Sequence, residues 1–192
     1  MDKCTTIRQC VYGHSRQNTD KSTPIRRLYN LETLKEDANR HGVRVLNPHI
    51  NNSIDKCVIE DNSLRLGFLN VSSVGIVSAG IIVKARENGG VFTSIVDFME
   101  RTGLPQETLE HLVDSGSFEC LSDKRRSIKW EIGLRYRTVT KQFAMAFPVD
   151  QDMIDLPEHT AWDRMSDEYK VMGICPSDHV ISQIRQHMRL KV

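Results

Sequence analysis

Two carboxylates one residue apart can hold divalent cations, and the chain has one such pair in Asp150-Gln151-Asp152. It stands between Pro148 and Pro157, with no strand pattern to hold the carboxylates rigidly, so no catalytic or metal role is assigned to it. The seven histidines do not cluster at ligand spacing. His41, in Arg40-His41-Gly42, falls where a helix C-terminus would favour a cation, and His111 and His187 read as surface or half-buried helix positions. The five cysteines (Cys4, Cys10, Cys57, Cys120 and Cys175) include no C-x-x-C and read as reduced thiols. G-x-x-x-x-G-K-[ST], G-x-G-x-x-G and H-E-x-x-H do not occur. What remains is phosphate chemistry of another kind. Two short turns, Ser73-Val74-Gly75 and Gly103-Leu104-Pro105, each join apolar-periodic segments within Leu64 to Phe118. Hairpins of this form aim backbone N–H groups and a helix N-terminus outward, which suits a phosphate.

The predicted DNA-binding set follows from that geometry. N–H groups near Ser73, Gly75 and Ile76, and near Gly103 and Leu104, would meet successive phosphates, with Lys84, Arg86 and Arg101 adding charge. Such contacts position a duplex without reading its sequence. Lys124, Arg125 and Arg126 join the set because they open a helix, where positive charge opposes the dipole. An anionic partner, or pairing with Asp123 and Glu119, would resolve that conflict. Plain structural αα-hairpins share the glycine-turn pattern. From Asp61 to Arg135 nine Lys/Arg stand against ten Asp/Glu, and the net charge of the 192 residues is +1. The surface as a whole is therefore not a nucleic-acid trap, and any phosphate site must be small and built largely from backbone groups.

The elements that must position these turns are legible in outline. Leu28, Leu31, Leu34, Lys35 and Ala38 trace one face of a helix from 28 to 41, stopped by Gly42. Residues 43–46 read as a strand, and Lys56–Glu60 and Leu64–Leu66 as edge strands around an Asp61-Asn62-Ser63 turn. A mostly buried helix is expected from Ile76 to Arg86, and one from Ile95 to Thr102 capped by Ser94. Further helices are expected over Gln106–Ser115 with Pro105 near its first position, and over 124–136 capped by Asp123. Two more follow over 162–172, ended by Gly173, and 177–189, opened by Pro176-Ser177. The predicted fold is mainly α with a small β element. A tandem helix-hairpin-helix module (67–136) is flanked by an N-terminal helix-strand unit (28–66) and a C-terminal helical segment (161–192). Residues 1–27 read as a poorly ordered basic arm and 137–160 as a linker. No apolar run approaches the roughly 18 residues of a membrane span, and no signal-peptide core is present, so a cytoplasmic protein without a membrane partner is expected.

The same residues resemble a known family. Tyr29 with Asp37-Ala38-Asn39-Arg40-His41-Gly42-Val43 resembles the Y…DAxRHGV pattern of bacterial C-family DNA polymerases, the polymerase III α-subunit type, and its error-prone branch above all. Val45 to Ser53 is similar to VLPPDVNxS, Leu64 to Val71 to xRLGLxxV, and Ile82 to Arg86 to IVxAR. Phe92 through Leu104 resembles FxSxxDFxxRTGL, Leu112 to Phe118 LxxAGAF, and Arg125-Arg126 with Trp130 RRxxLW. Trp162, Tyr169, Gly173 and His179 follow the spacing of WE…DYxxxGLSLxxHP. The resemblance implies the region after the fingers, with tandem hairpins that grip duplex DNA. It implies non-sequence-specific DNA binding within damage-tolerant, DNA-templated synthesis. The metal-binding aspartates of the family lie in a palm upstream of these patterns, so the chain is expected to be a piece without catalytic residues of its own. Magnesium would belong to the parent polymerase, and a separately encoded palm or other translesion-synthesis proteins would be partners. A protein-interaction module for polymerase or clamp partners, or an inactive gene remnant, is the alternative. The chain departs from the family at Ser73, where the first hairpin has glycine, at Asn47 and His49, and at Val180 after His179. A β-carbon at Ser73 falls where a tight turn favours none, so the second turn, which keeps Gly103-Leu104, is expected to grip better.

Overall fold

The computed structural model describes residues 31–140 and 156–189. The predicted arm 1–27, the Asp150-Gln151-Asp152 pair and most of the predicted linker lie outside the described residues. Helix α1 (Leu31–Arg40) stops where Gly42 takes φ +74, and the chain turns straight into β1 (Arg44–Leu46). β2 (Val58–Glu60) and β3 (Ser63–Arg65) form an antiparallel hairpin. Its turn residues Asp61 and Asn62 both have positive φ, 41° and 63°, which matches the turn to the twist of the strands. The Asn62 amide donates to the Gly42 carbonyl at 2.7 Å and locks this turn to the end of α1. β1 lies parallel to β3 with Val45 opposite Leu64, giving the order β1-β3-β2. The strand at 64–66 was expected at an edge; it is the centre. Leu64, 1 % exposed, marks it as such, because a central strand buries its inward residue between two neighbours.

A 3-10 turn (Phe68–Asn70) leads to the first hairpin and then to α2 (Ile76–Gly89). α3 (Ile95–Thr102) starts at Ser94, whose hydroxyl accepts from the Asp97 N–H at 3.1 Å. α4 (Gln106–Asp114), α5 (Arg125–Thr140), α6 (Ala161–Met172) and α7 (Val180–Arg189) follow. Thr160 and Asp163 form a reciprocal capping box at the start of α6, and Gly173 ends that helix in the left-handed region. The fold is mainly α with a small sheet, as expected. The last helix begins three residues later than the sequence suggests. His179 acts as its cap, with Nδ1 accepting the Ile181 N–H at 3.1 Å.

One apolar cluster runs from Ala38 on α1 to Ile174 after α6. At its centre Phe98 meets Phe92 and Phe118 edge-to-face, with ring centroids 4.8 and 4.9 Å apart, a favoured aromatic geometry. α2 was expected to be mostly buried. Only Ala79 and Ile82 are, while Ile76 and Val77 at its first turn are 74 % and 78 % exposed. The apolar face of α2 is set by packing in its second and third turns, and its N-terminus projects beyond the core. Lys35, on the expected apolar face of α1, is buried for a polar reason. Its ammonium donates to the Cys175 and Asp178 carbonyls, both at 2.8 Å, and so binds α1 to the loop between α6 and α7.

Candidate nucleic-acid interface

The first turn is held from behind. The Ser72 N–H and hydroxyl both donate to the Val171 carbonyl at 2.8 Å, anchoring the turn on the end of α6. Ser73 has φ +65, a left-handed conformation that costs a side-chain-bearing residue about 1–2 kcal/mol. His111 of α4 compensates: its Nδ1 lies 2.9 Å from Ser73 Oγ and 3.0 Å from the Ser72 carbonyl. A carbonyl can only accept, so the Nδ1–H tautomer serves this site. Thr108, also on α4, donates to the Ser73 carbonyl at 3.4 Å. The second helix of the second hairpin thus buttresses the turn of the first. The sequence placed His111 as an ordinary helix residue; its role depends on a turn 38 residues away.

Ahead of that brace, α2 presents a bare N-terminus. Gly75 sits at its N-cap in an extended conformation and supplies no side-chain cap, and the first turn holds no acidic residue. A β-carbon at Gly75 would meet nothing within 4 Å, so the space in front of Ile76 and Val77 is open. The unpaired N–H groups and the positive end of the dipole can therefore receive an anion there. In the first hairpin the element before the turn is a three-residue 3-10 turn rather than a full helix.

The second turn is a fuller helix-turn-helix. Gly103 takes φ +56 and its N–H returns to the Met99 carbonyl at 2.9 Å, while Leu104, 3 % exposed, plugs the core. Pro105 occupies the N-cap of α4, one place before the expected position, and it too offers no side-chain cap. Glu107 lies in the first turn of α4, and Gln106 is engaged with Glu110 at 2.7 Å. A carboxylate satisfies the dipole that a phosphate would otherwise use. The first turn of α2 holds no such carboxylate.

The cations of the predicted set divide by what they already touch. Lys84 is exposed on α2. Arg86 donates to the Ile50 and Ser53 carbonyls, at 3.2 and 2.9 Å, and ties α2 to the loop after β1. Arg101 pairs with Asp97 at 3.0 Å, donates to the Ala85 and Gly90 carbonyls, and covers the Phe92 ring at 4.4 Å. These two arginines shape the hairpins from inside. Arg125, 2 % exposed, pairs with Glu119 at 2.6 Å and with the buried Glu168 at 2.7 Å. Burial opposes its charge, but the hydrogen bonds it donates to Glu168 and Glu119 outweigh that and hold its pKa above the ordinary value. Arg125 is therefore withdrawn from the interface: its guanidinium is not available to a phosphate. Arg126 reaches Asp163 at 3.6 Å and the Pro157 carbonyl at 3.0 Å, and Lys124 lies 4.0 Å from Glu158. The positive charge at the start of α5 is thus met by carboxylates of the protein itself, Glu119 among them.

Among the described residues, Glu32, Glu36 and His179 bring three potential metal ligands together. The Lys35 ammonium already stands beside Glu32, at 2.5 Å, and Glu36, at 3.6 Å, in the place a cation would take. No helix of the described residues is long and apolar enough to cross a membrane.

Residues 42–128, the sheet and both hairpins, match the family described as helix-hairpin-helix motif, and this stretch is a helix-hairpin-helix module. The chain is 27 % identical over 162 residues to the error-prone DNA polymerase of Dechloromonas aromatica, covering 84 % of this chain and 16 % of that protein. It is 35 % identical over 108 residues to the error-prone DNA polymerase of Mycolicibacterium paratuberculosis, covering 55 % of this chain and 10 % of that one. With the DNA polymerase III subunit alpha of Chlamydia pneumoniae the figures are 24 % over 180 residues, 83 % and 14 %. The chain is thus similar to bacterial proteins named error-prone DNA polymerase and DNA polymerase III subunit alpha, and spans about one sixth or less of their length.

Proposed function

We propose that the chain binds the backbone of duplex DNA without sequence preference, as the gripping part of an error-prone polymerase acting in damage-tolerant synthesis. The observation that carries this is the N-terminus of α2: uncapped, free of acid, open in front and braced from behind by α4 and α6. A phosphate oxygen placed there would take N–H groups that the helix cannot satisfy itself. Ser73, Gly75 and Ile76 form that contact, with Lys84 as an exposed cation about two turns further along the same helix. Gly103 and Leu104 present the second, weaker contact, which Glu107 opposes, while Arg86 ties α2 to the loop after β1 and Arg101 ties α3 to the end of α2. Lys124 and Arg126 flank the module at its edge. This region supplies the grip and not the bond-making step, which with its magnesium belongs to a palm that would be its partner.

Fluorescence anisotropy with labelled duplexes of unrelated sequence tests this. The expected result is equal affinity for each, falling steeply with salt as counterions are released. Affinity that is insensitive to salt, or confined to one sequence, would overturn it. Salt-insensitive capture of a polymerase or clamp protein in place of DNA would favour an interaction module.

A further inference from the structure

Away from both turns, α1 and α7 border an open groove of about 850 Å³. Arg40 at the end of α1 and Arg185 and Arg189 on α7 line it, with His179 and Ser182. Its one lining carboxylate, Glu36, shares the Lys35 ammonium with Glu32, at 3.6 and 2.5 Å, so a single carboxylate charge is left against three guanidiniums. Most arginine charge elsewhere is used internally: Arg65, Arg86, Arg101, Arg125, Arg126 and Arg135 each donate to a carboxylate or carbonyl, while Arg44 and Arg164 stand apart from one another and from the groove lining. Among the described residues the three groove guanidiniums have no such acceptor. A cation at a helix C-terminus is explained by that helix's dipole, which accounts for Arg40 and Arg189 singly. It does not account for two helices delivering guanidiniums into one groove, where like charges repel.

We infer that this groove is a second contact for the nucleic-acid backbone, separate from the hairpins; the inference rests on the reading that the chain binds DNA. A guanidinium presents a planar fork of donors that matches phosphate oxygens. Arg185 and Arg189 stand one turn apart, about 6 Å along the helix axis, so the two forks can reach different phosphates of one strand. Ser182 adds a hydroxyl donor on the same side. No residue of either turn lines the groove, so it can be disabled without touching them.

The test is a salt titration of duplex binding by anisotropy, using the full chain, Arg185→Ala/Arg189→Ala, Arg185→Lys/Arg189→Lys, and the hairpin variant Val77→Glu. Each lost phosphate contact lowers the slope of log affinity against log salt by about 0.9. The alanine pair should therefore lower it by about 1.8, so that the loss of affinity between about 50 and 200 mM salt shrinks roughly tenfold. The lysine pair, which keeps the charge, should retain most of the slope. An alanine pair with the wild-type slope and affinity overturns the groove, and Val77→Glu losing affinity in the same series leaves the hairpin reading standing. Loss of slope in the alanine pair beside unchanged binding by Val77→Glu supports the groove and overturns the hairpin. A wild-type chain that binds no duplex overturns both. Binding of polyglutamate with no response to duplex would replace nucleic acid by an acidic peptide and also overturn the inference.

Discussion

Placing a carboxylate at the bare end of α2 should make the protein more stable and a poorer DNA binder at once. Val77 is 78 % exposed in the first turn of α2, where no acidic residue and no side-chain cap are present. Val77→Glu removes almost no buried surface. A negative charge there gains about 0.3–1 kcal/mol from the helix dipole, and glutamate is the better helix former by a few tenths. For a protein of this size that is a rise in Tm of a few degrees at most. A phosphate seated at the same N–H groups would stand about 4 Å from the new carboxylate. The repulsion is about 1 kcal/mol in water and about 4 kcal/mol at the effective dielectric of a protein surface. Affinity should thus fall between about fivefold and several hundredfold, most at low salt. Val77→Gln, alike in shape without the charge, should bind nearly as the wild type does. Anisotropy at low salt gives the affinities, and a circular-dichroism melt gives Tm. Equal DNA affinity in Val77→Glu and Val77→Gln would refute the site. A lowered Tm in Val77→Glu would show that this helix end is already satisfied.

Three other outcomes follow from the same geometry. Ser73→Gly should relieve the left-handed strain but lose the His111 contact, for a net gain below about 1 kcal/mol in urea unfolding; a loss above that would mean the His111 bond outweighs the strain. Glu168→Ala should cost about 3–5 kcal/mol, because it leaves the buried Arg125 with the half-exposed Glu119 as its one carboxylate, and a cost below about 1 kcal/mol would contradict a buried pair. Hydrogen bonds from the Thr160 backbone and hydroxyl hold the Asp163 carboxylate below its ordinary pKa. A depressed folded pKa gives stability that is present above the unfolded value and lost as pH falls through the folded one. The Tm of the wild type should therefore drop more than that of Asp163→Asn as pH falls below the usual carboxylate range, and parallel curves would remove the capping box from the account.

Local chemistry made much of the fold readable. Gly42, Ser94, Gly103, Thr160 and Gly173 end or begin helices because each needs only its own neighbours to do so. The Asp61-Asn62 turn was legible for the same reason. What escaped depended on distance. Lys35 sits on an apolar face because its acceptors are carbonyls up to 143 residues away. Arg125 looked like a surface cation at a helix start because the carboxylate that buries it, Glu168, lies 43 residues further on. The centrality of β3 required knowing that β1 pairs beside it in parallel. In the candidate site, the turns themselves were visible. The difference between them was half visible: Glu107 and the acid-free start of α2 stand in the sequence, whereas the left-handed conformation of Ser73 and its brace from His111 do not.

The paired hydrogen bonds from Ser72 to Val171 decide what could survive being cut loose. They run from the first hairpin to the last turn of α6, beyond the boundary at 136 that the sequence suggests for the module. A piece trimmed there would keep both turns and every backbone donor, yet its first turn would lose its anchor and Arg125 its buried counter-ion. The hairpins are thus not a portable cassette. A recombinant fragment or a natural fusion that keeps the grip must carry α6 along with them.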